Sequence, residues 1–126
     1  MITGRYNAFL AAAVMLAAAI APAQAGDAAA GKKVFAKCKT CHEVDTEKNK
    51  VGPHLKGLFG RTAGSLADFK YSDAMKSSGI VWSEDTLTTY LADPKGTVPD
   101  TKMVFAGLKK PADIENVIEY LEEATK

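Results

Sequence analysis

Cys38-Lys39-Thr40-Cys41-His42 brings two thiols and an imidazole within five residues of chain. Two thiols three residues apart on a turn can each add across a vinyl group, the sulfur forming a thioether and its proton passing to carbon. The imidazole that follows then reaches a metal from the same side. This is the spacing of c-type haem attachment, with His42 as proximal iron ligand. Two rival chemistries fit less well. A structural zinc site wants four ligands, and these are the only two cysteines in the chain; the other histidine, His54, closes no obvious tetrahedron. A thioredoxin-like redox pair wants a strand leading into the motif within a βαβ unit, and no such pattern precedes Cys38.

Iron held by His42 takes either a sixth ligand or an open site, and that choice separates a carrier from an enzyme. After the N-terminal segment the chain has two methionines, Met75 and Met103. Met103 lies beyond Pro99 on a stretch without helical period, an extended loop able to approach the far face of a haem. Met75 falls in a predicted short helix, where methionine more often packs a core. Composition is compatible with either; position favours Met103. A thioether would favour reduced iron, raise the potential and leave no vacancy for oxygen or peroxide.

The first 25 residues read as a cleaved signal peptide. Arg5 is basic, Ala8 to Ala21 is nearly all apolar, and Ala23-Gln24-Ala25 supplies small residues for cleavage. The apolar run is shorter than the roughly 20 residues a membrane span needs. Export into an oxidising compartment is expected, bacterial periplasm in this reading. A free thiol pair there would become a disulfide unless haem consumed it. Residues 26–126 form one small domain, with 15 basic and 15 acidic side chains. That balance lacks the basic excess of a nucleic-acid binder.

The elements that position these groups are helical. Asp27 caps a first helix running to Lys39, with Val34, Phe35 and Cys38 on one face. Glu43 to Lys50 is a charged loop, and Val51 to Phe69, rich in glycine, is a wrapping loop that needs an interior partner. Ser72 to Ser77 is a short helix ended by Gly79. Ser83 caps Glu84 to Ala92, which Pro94 stops. Lys95 to Lys109 is read as extended. Pro111 opens the last helix at its first position, and Ile114, Val117, Ile118 and Leu121 form an i, i+3, i+4, i+7 stripe. With no strand pair or repeat, the fold class is all-α with long loops.

Gly31-Lys32-Lys33-Val34-Phe35, the Cys38 to His42 motif, Val51-Gly52-Pro53, Gly57-Leu58-Phe59-Gly60-Arg61, Ile80-Val81-Trp82 and Thr101 to Gly107 together resemble a class I cytochrome c. The likeness is to the mitochondrial type and its short bacterial relatives, the cytochrome c2 group, and it covers essentially all of 26–126 in order. It implies one covalent haem c with Met103 as second iron ligand. It implies crossed first and last helices, Gly31 and Phe35 meeting Val117 and Tyr120. By the same resemblance the Pro53 carbonyl accepts the Nδ1 proton of His42. Arg61, Tyr71 and Trp82 would hold the buried propionate; Tyr90 and Thr101 would hydrogen-bond near the Met sulfur or the other propionate. Two positions depart from the pattern. Met75 stands where Asn is frequent in a polar network beside Tyr90, and Asp100 where Gly is usual after Pro99.

The implied function is a monomeric, periplasmic carrier of single electrons from a quinol-oxidising complex to a terminal oxidase or photosynthetic reaction centre. The resemblance implies no enzyme activity, and no membrane span is expected after cleavage. Lys37, Lys39, Lys102 and Lys109 would dock its partners at the haem edge, with Lys95 and Lys110 nearby and Glu115, Glu119, Glu122 and Glu123 on the back. A haem enzyme with Met103 unbound and a fixed haem subunit of a larger oxidoreductase are the rival readings.

Overall fold

The computed structural model describes residues 11–17 and 26–126. Most of the expected signal peptide therefore lies outside the described residues. Five helices appear among the described residues: α1 (Ala28–Phe35), α2 (Asp73–Ser77), α3 (Glu84–Ala92), α4 (Pro94–Thr97) and α5 (Pro111–Ala124). An isolated antiparallel bridge between Thr62 and Val81 is the only β pairing among the described residues. None of the described helices is long and apolar enough to cross a membrane.

Each longer helix starts where its capping chemistry places it. The Asp27 carboxylate accepts from the backbone N–H groups of Ala29 and Ala30 at 2.9 and 3.3 Å. These are donors that have no partner within the helix itself. Ser83 and Thr86 form a reciprocal capping box at the start of α3. Pro111 occupies the first turn of α5, where its missing N–H removes nothing.

α1 and α5 cross and form the floor of the core. The stripe on α5 is buried throughout, Ile114, Val117, Ile118 and Leu121 each 6% exposed or less. Burying a side chain of this size stabilises by about 1.5–3 kcal/mol. Phe35 stacks against Tyr120 with ring centroids 5.3 Å apart. Gly31 lies against the backbone of Asn116 and the Cβ of Tyr120, so close that a methyl group would overlap the Asn116 carbonyl. Gly31 thus meets Asn116 and Tyr120, and Phe35 and Val117 share the core. Asn116 also accepts the Asp27 N–H through Oδ1 at 2.8 Å, a bond that spans 89 residues of sequence.

Two boundaries differ from the sequence reading. α1 stops at Phe35, not Lys39. Beyond it Ala36 and Lys37 donate to carbonyls three residues back, at 3.3 and 3.2 Å, and the helix tightens into turns. The Cys38 to His42 motif is a separate turn, closed by the His42 N–H on the Cys38 carbonyl at 3.0 Å. The stretch from Lys95 is not extended at its start. Pro94 ends α3 but also occupies the first turn of α4, which Asp93 caps by accepting from the Gly96 N–H at 3.0 Å. A proline that stops one helix can start the next, because its φ suits a first turn.

Candidate functional site

The motif turn is joined to the following loop by its own backbone. Gly52 donates to the Cys41 carbonyl at 2.9 Å, and Lys50 donates to the Gly52 carbonyl at 3.0 Å. This return brings Pro53 to the imidazole, and His42 Nδ1–H donates to the Pro53 carbonyl at 2.7 Å. A carbonyl only accepts, so the proton sits on Nδ1 and the Nε2 lone pair is free. Burial pushes the imidazole below its ordinary value. The Pro53 bond opposes this, while the charges of Arg61 and Lys50 add to burial. His42 is therefore neutral near pH 7 and ready to donate electrons to a metal.

Gly52 makes room for that ring. A Cβ on it would fall 2.5 Å from His42 Cε1 and 2.8 Å from Nδ1. The Lys50 ammonium reaches the Lys39 carbonyl at 2.8 Å and Glu43 at 3.1 Å, tying the motif turn to the loop. Sequence reasoning missed both roles. A glycine beside Pro53, the expected partner of His42, is a usable signal for Gly52; nothing local marks Lys50. Cys38 and Cys41 are both half-buried and free of any disulfide. Burial raises the Cys38 thiol, against the pull of Lys37.

Met103 lies in the segment after α4, half-buried and packed on the core. Tyr90 O–H lies 3.2 Å from Thr101 Oγ1 and 3.9 Å from Met103 Sδ. Thr101 Oγ1 also receives the Met103 N–H at 3.4 Å. Tyr90, Thr101 and Met103 thus form one polar cluster, and Trp82 packs on Tyr90 with centroids 5.1 Å apart. Burial raises the Tyr90 hydroxyl above its ordinary value, with the Thr101 bond opposing. Met75 is also half-buried against the core, on α2.

Arg61 is half-buried and held by backbone. It donates to the His54 carbonyl at 2.9 Å and the Lys56 carbonyl at 3.2 Å. Burial lowers its pKa, and Tyr71 pulls the other way. Tyr71 itself packs edge-on against Phe69 at 4.9 Å. Asn49, another residue not singled out from sequence, joins two loops. Its Oδ1 accepts the His54 N–H at 3.0 Å, and its Nδ2 donates to the Asp68 carbonyl at 3.4 Å. Of the expected docking lysines, Lys37, Lys39, Lys102 and Lys109 are all exposed. Lys109 also donates to the Ala106 carbonyl at 3.1 Å.

These residues suit a haem. Cys38, Leu55, Phe59, Met75, Ile80, Met103 and Phe105 pack on the core without being fully covered by it. Such apolar side chains favour an apolar plane laid against them. The donor set adds two thiols, a neutral imidazole with its outer nitrogen already bonded, and a thioether. That is the chemistry of covalent attachment and iron ligation. Fold and site together define a small all-α protein of the c-type haem class.

Comparison with known proteins agrees. The family model for Cytochrome c matches residues 28–125. Cytochrome c2 iso-2 of Magnetospirillum fulvum is 60% identical over 88 residues, covering 70% of this chain and 92% of that one. Cytochrome c2 of Blastochloris viridis is 49% identical over 110 residues, 86% of this chain and 87% of that one. Among solved structures, cytochrome cH from Methylobacterium extorquens superposes with a TM-score of 0.73 at 52% identity, over 78% of this chain and 99% of that chain. The chain belongs to the cytochrome c family, in the class I group that includes the bacterial cytochromes c2. It binds one covalent haem c and is an electron-transfer protein, not an enzyme.

Proposed function

We propose that this chain is an exported, periplasmic carrier of single electrons in which His42 and Met103 would ligate the iron of one haem. In this reading Cys38 and Cys41 carry the thioether bonds, and cleavage after Ala25 leaves residues 26–126. The observation that carries it is the 2.7 Å bond from His42 Nδ1 to Pro53, which fixes the tautomer a ligand requires. When bound, the haem supplies a metal that gains and loses one electron. The chain's own residues do the rest. Pro53 holds the imidazole at one orientation. Tyr90 and Thr101 set the position of Met103 by the bonds given above. Arg61, Tyr71 and Trp82 would hold a propionate, a carboxylate matched by a guanidinium and by phenol and indole donors. Aromatic and aliphatic packing would keep water from a bound haem and so limit the reorganisation that accompanies a change of charge.

Partners follow from the surface. A donor that oxidises quinol and an acceptor such as a terminal oxidase or reaction centre would dock at Lys37, Lys39, Lys102 and Lys109. Small redox interfaces of this kind are weak and fast, with steering by opposite charge. The carrier reading rests on Met103, and a spectrum tests it. The oxidised protein should show the weak band near the red end of the visible that reports thioether sulfur on ferric iron. Met103→Ala should abolish the band, lower the potential and create cyanide affinity. A parent that already binds cyanide fast and turns over peroxide, with both unchanged in Met103→Ala, would mean an open-site haem protein instead.

A further inference from the structure

We propose that Asp100 is a positioning residue for Met103: its backbone strain sets how readily the thioether segment lets go. The inference rests on the reading of Met103 as iron ligand. Among the described residues, six have φ in the left-handed region. Five are glycines; the sixth is Asp100, at φ 67°. An L side chain there crowds its own backbone, a penalty glycine does not carry and Asp carries less heavily than Ala.

The location gives that strain its leverage. The Val98 carbonyl accepts the Thr101 N–H at 3.0 Å, closing a turn over Pro99 and Asp100. Proline second and a positive φ third make it a type II turn, whose third position calls for glycine. Val98 is buried at 2% exposure and anchors the turn to the core. Thr101, the turn's last residue, carries the hydroxyl that meets both Tyr90 and the Met103 N–H. Downstream the next backbone anchor is Leu108, which donates to the Leu91 carbonyl at 2.8 Å. Among the described residues no backbone–backbone hydrogen bond reaches 102–107. The thioether segment is therefore a span hung between two pins, and Asp100 strains one of them.

Opening the turn breaks the bond from the Thr101 N–H to the Val98 carbonyl and lets Asp100 return to negative φ, where an L residue is comfortable. With that bond gone, Thr101 no longer fixes the Met103 N–H. Strain at Asp100 biases the turn towards that release, and glycine would bias it back.

Two substitutions separate backbone strain from charge. Asp100→Gly and Asp100→Ala both remove the carboxylate beside Lys102, yet they move the strain in opposite directions. Cyanide displaces the sulfur only after the segment opens, so its binding rate to the ferric holoprotein reads the opening. Asp100→Ala should bind cyanide about tenfold faster than Asp100→Gly, with the parent between them. Hydrogen exchange at the Thr101 amide should follow the same order, a readout that does not involve the iron. Equal rates in the two variants, or a shift of both in one direction, would overturn the proposal while leaving Met103 as ligand. A parent without the sulfur–iron band would overturn the ligand reading, and the proposal with it.

Discussion

Gly52 and His42 share a space that admits only one of their side chains. A Cβ on Gly52 would sit 2.5 Å from the imidazole Cε1, well inside van der Waals contact. The same loop carries Pro53, whose carbonyl holds the ring at Nδ1. The imidazole is thus pinned at its outer nitrogen and backed by bare backbone. Both constraints on His42 come from residues outside the motif turn.

Gly52→Ala should therefore displace the ring and strain the Pro53 bond. Overpacking of this kind costs about 1–3 kcal/mol. Denaturant unfolding of the holoprotein should show a lower midpoint, and the absorption spectrum should shift. An unchanged spectrum and midpoint would mean the loop yields freely.

Met75→Ala separates core from ligand. Met75 packs on the core from α2, so its truncation should act through lost packing, about 2–5 kcal/mol if the cavity stays open. The sulfur–iron band should persist. Loss of the band in Met75→Ala, with Met103→Ala retaining it, would exchange the roles of the two methionines.

Three tyrosines give the protein an alkaline limit. Burial is the largest cause raising Tyr71, Tyr90 and Tyr120 above their ordinary value. The fold favours the protonated phenol, so its folded pKa lies above the unfolded value of about 10. The stability this contributes is complete below about pH 10 and is lost as pH rises through the folded values. Unfolding measured at stepped alkaline pH should show stability falling in that window. Phenolate absorbance should appear above the pH at which free tyrosine ionises. Ordinary tyrosine titration in the folded protein would contradict this.

Reversing the charge of Lys39 or Lys102 should slow electron transfer to an acidic partner mainly at low salt. Above about 0.1 M ionic strength, screening should erase much of the difference. Reversal of Glu119 or Glu122 on α5 should do little. Equal effects from the two faces would remove the steering argument.

Much of this architecture is written locally, and the remainder depends on contacts between distant residues. The starts of α1, α3 and α5 follow from Asp27, Ser83 and Pro111, because capping acts within three or four residues. The attachment motif is readable for the same reason. α4 has no separate signal in the sequence, because a proline after a helix reads as a stop even where, as at Pro94, it occupies the first turn of the next helix. The early end of α1 was missed because Val34, Phe35 and Cys38 share a face whether the chain continues as helix or as turns. Asn49 bridges His54 and Asp68, and Arg61 reaches two carbonyls; neither relation has a sequence pattern, since the partners are set by how the loops fold over each other. Asp100 could be noticed from sequence as unusual, but only the backbone gives it a positive φ.

The bond from Asp27 N–H to Asn116, 89 residues apart, makes α1 and α5 a clasp around almost the whole domain. Chain closure over such a length is insensitive to small changes in it. Its entropic cost grows as the logarithm of loop length, so ten extra residues would add only about 0.1 kcal/mol. The loops inside the clasp are thus thermodynamically free to lengthen or shorten. What restricts them is local: the turn that supports Met103 and the return that carries Pro53 to His42 leave no slack, whereas the exposed stretch 45–48 hydrogen-bonds to neither ligand's support. Insertions there should be tolerated as ordinary variation in length, while one residue added between Val98 and Met103 should not.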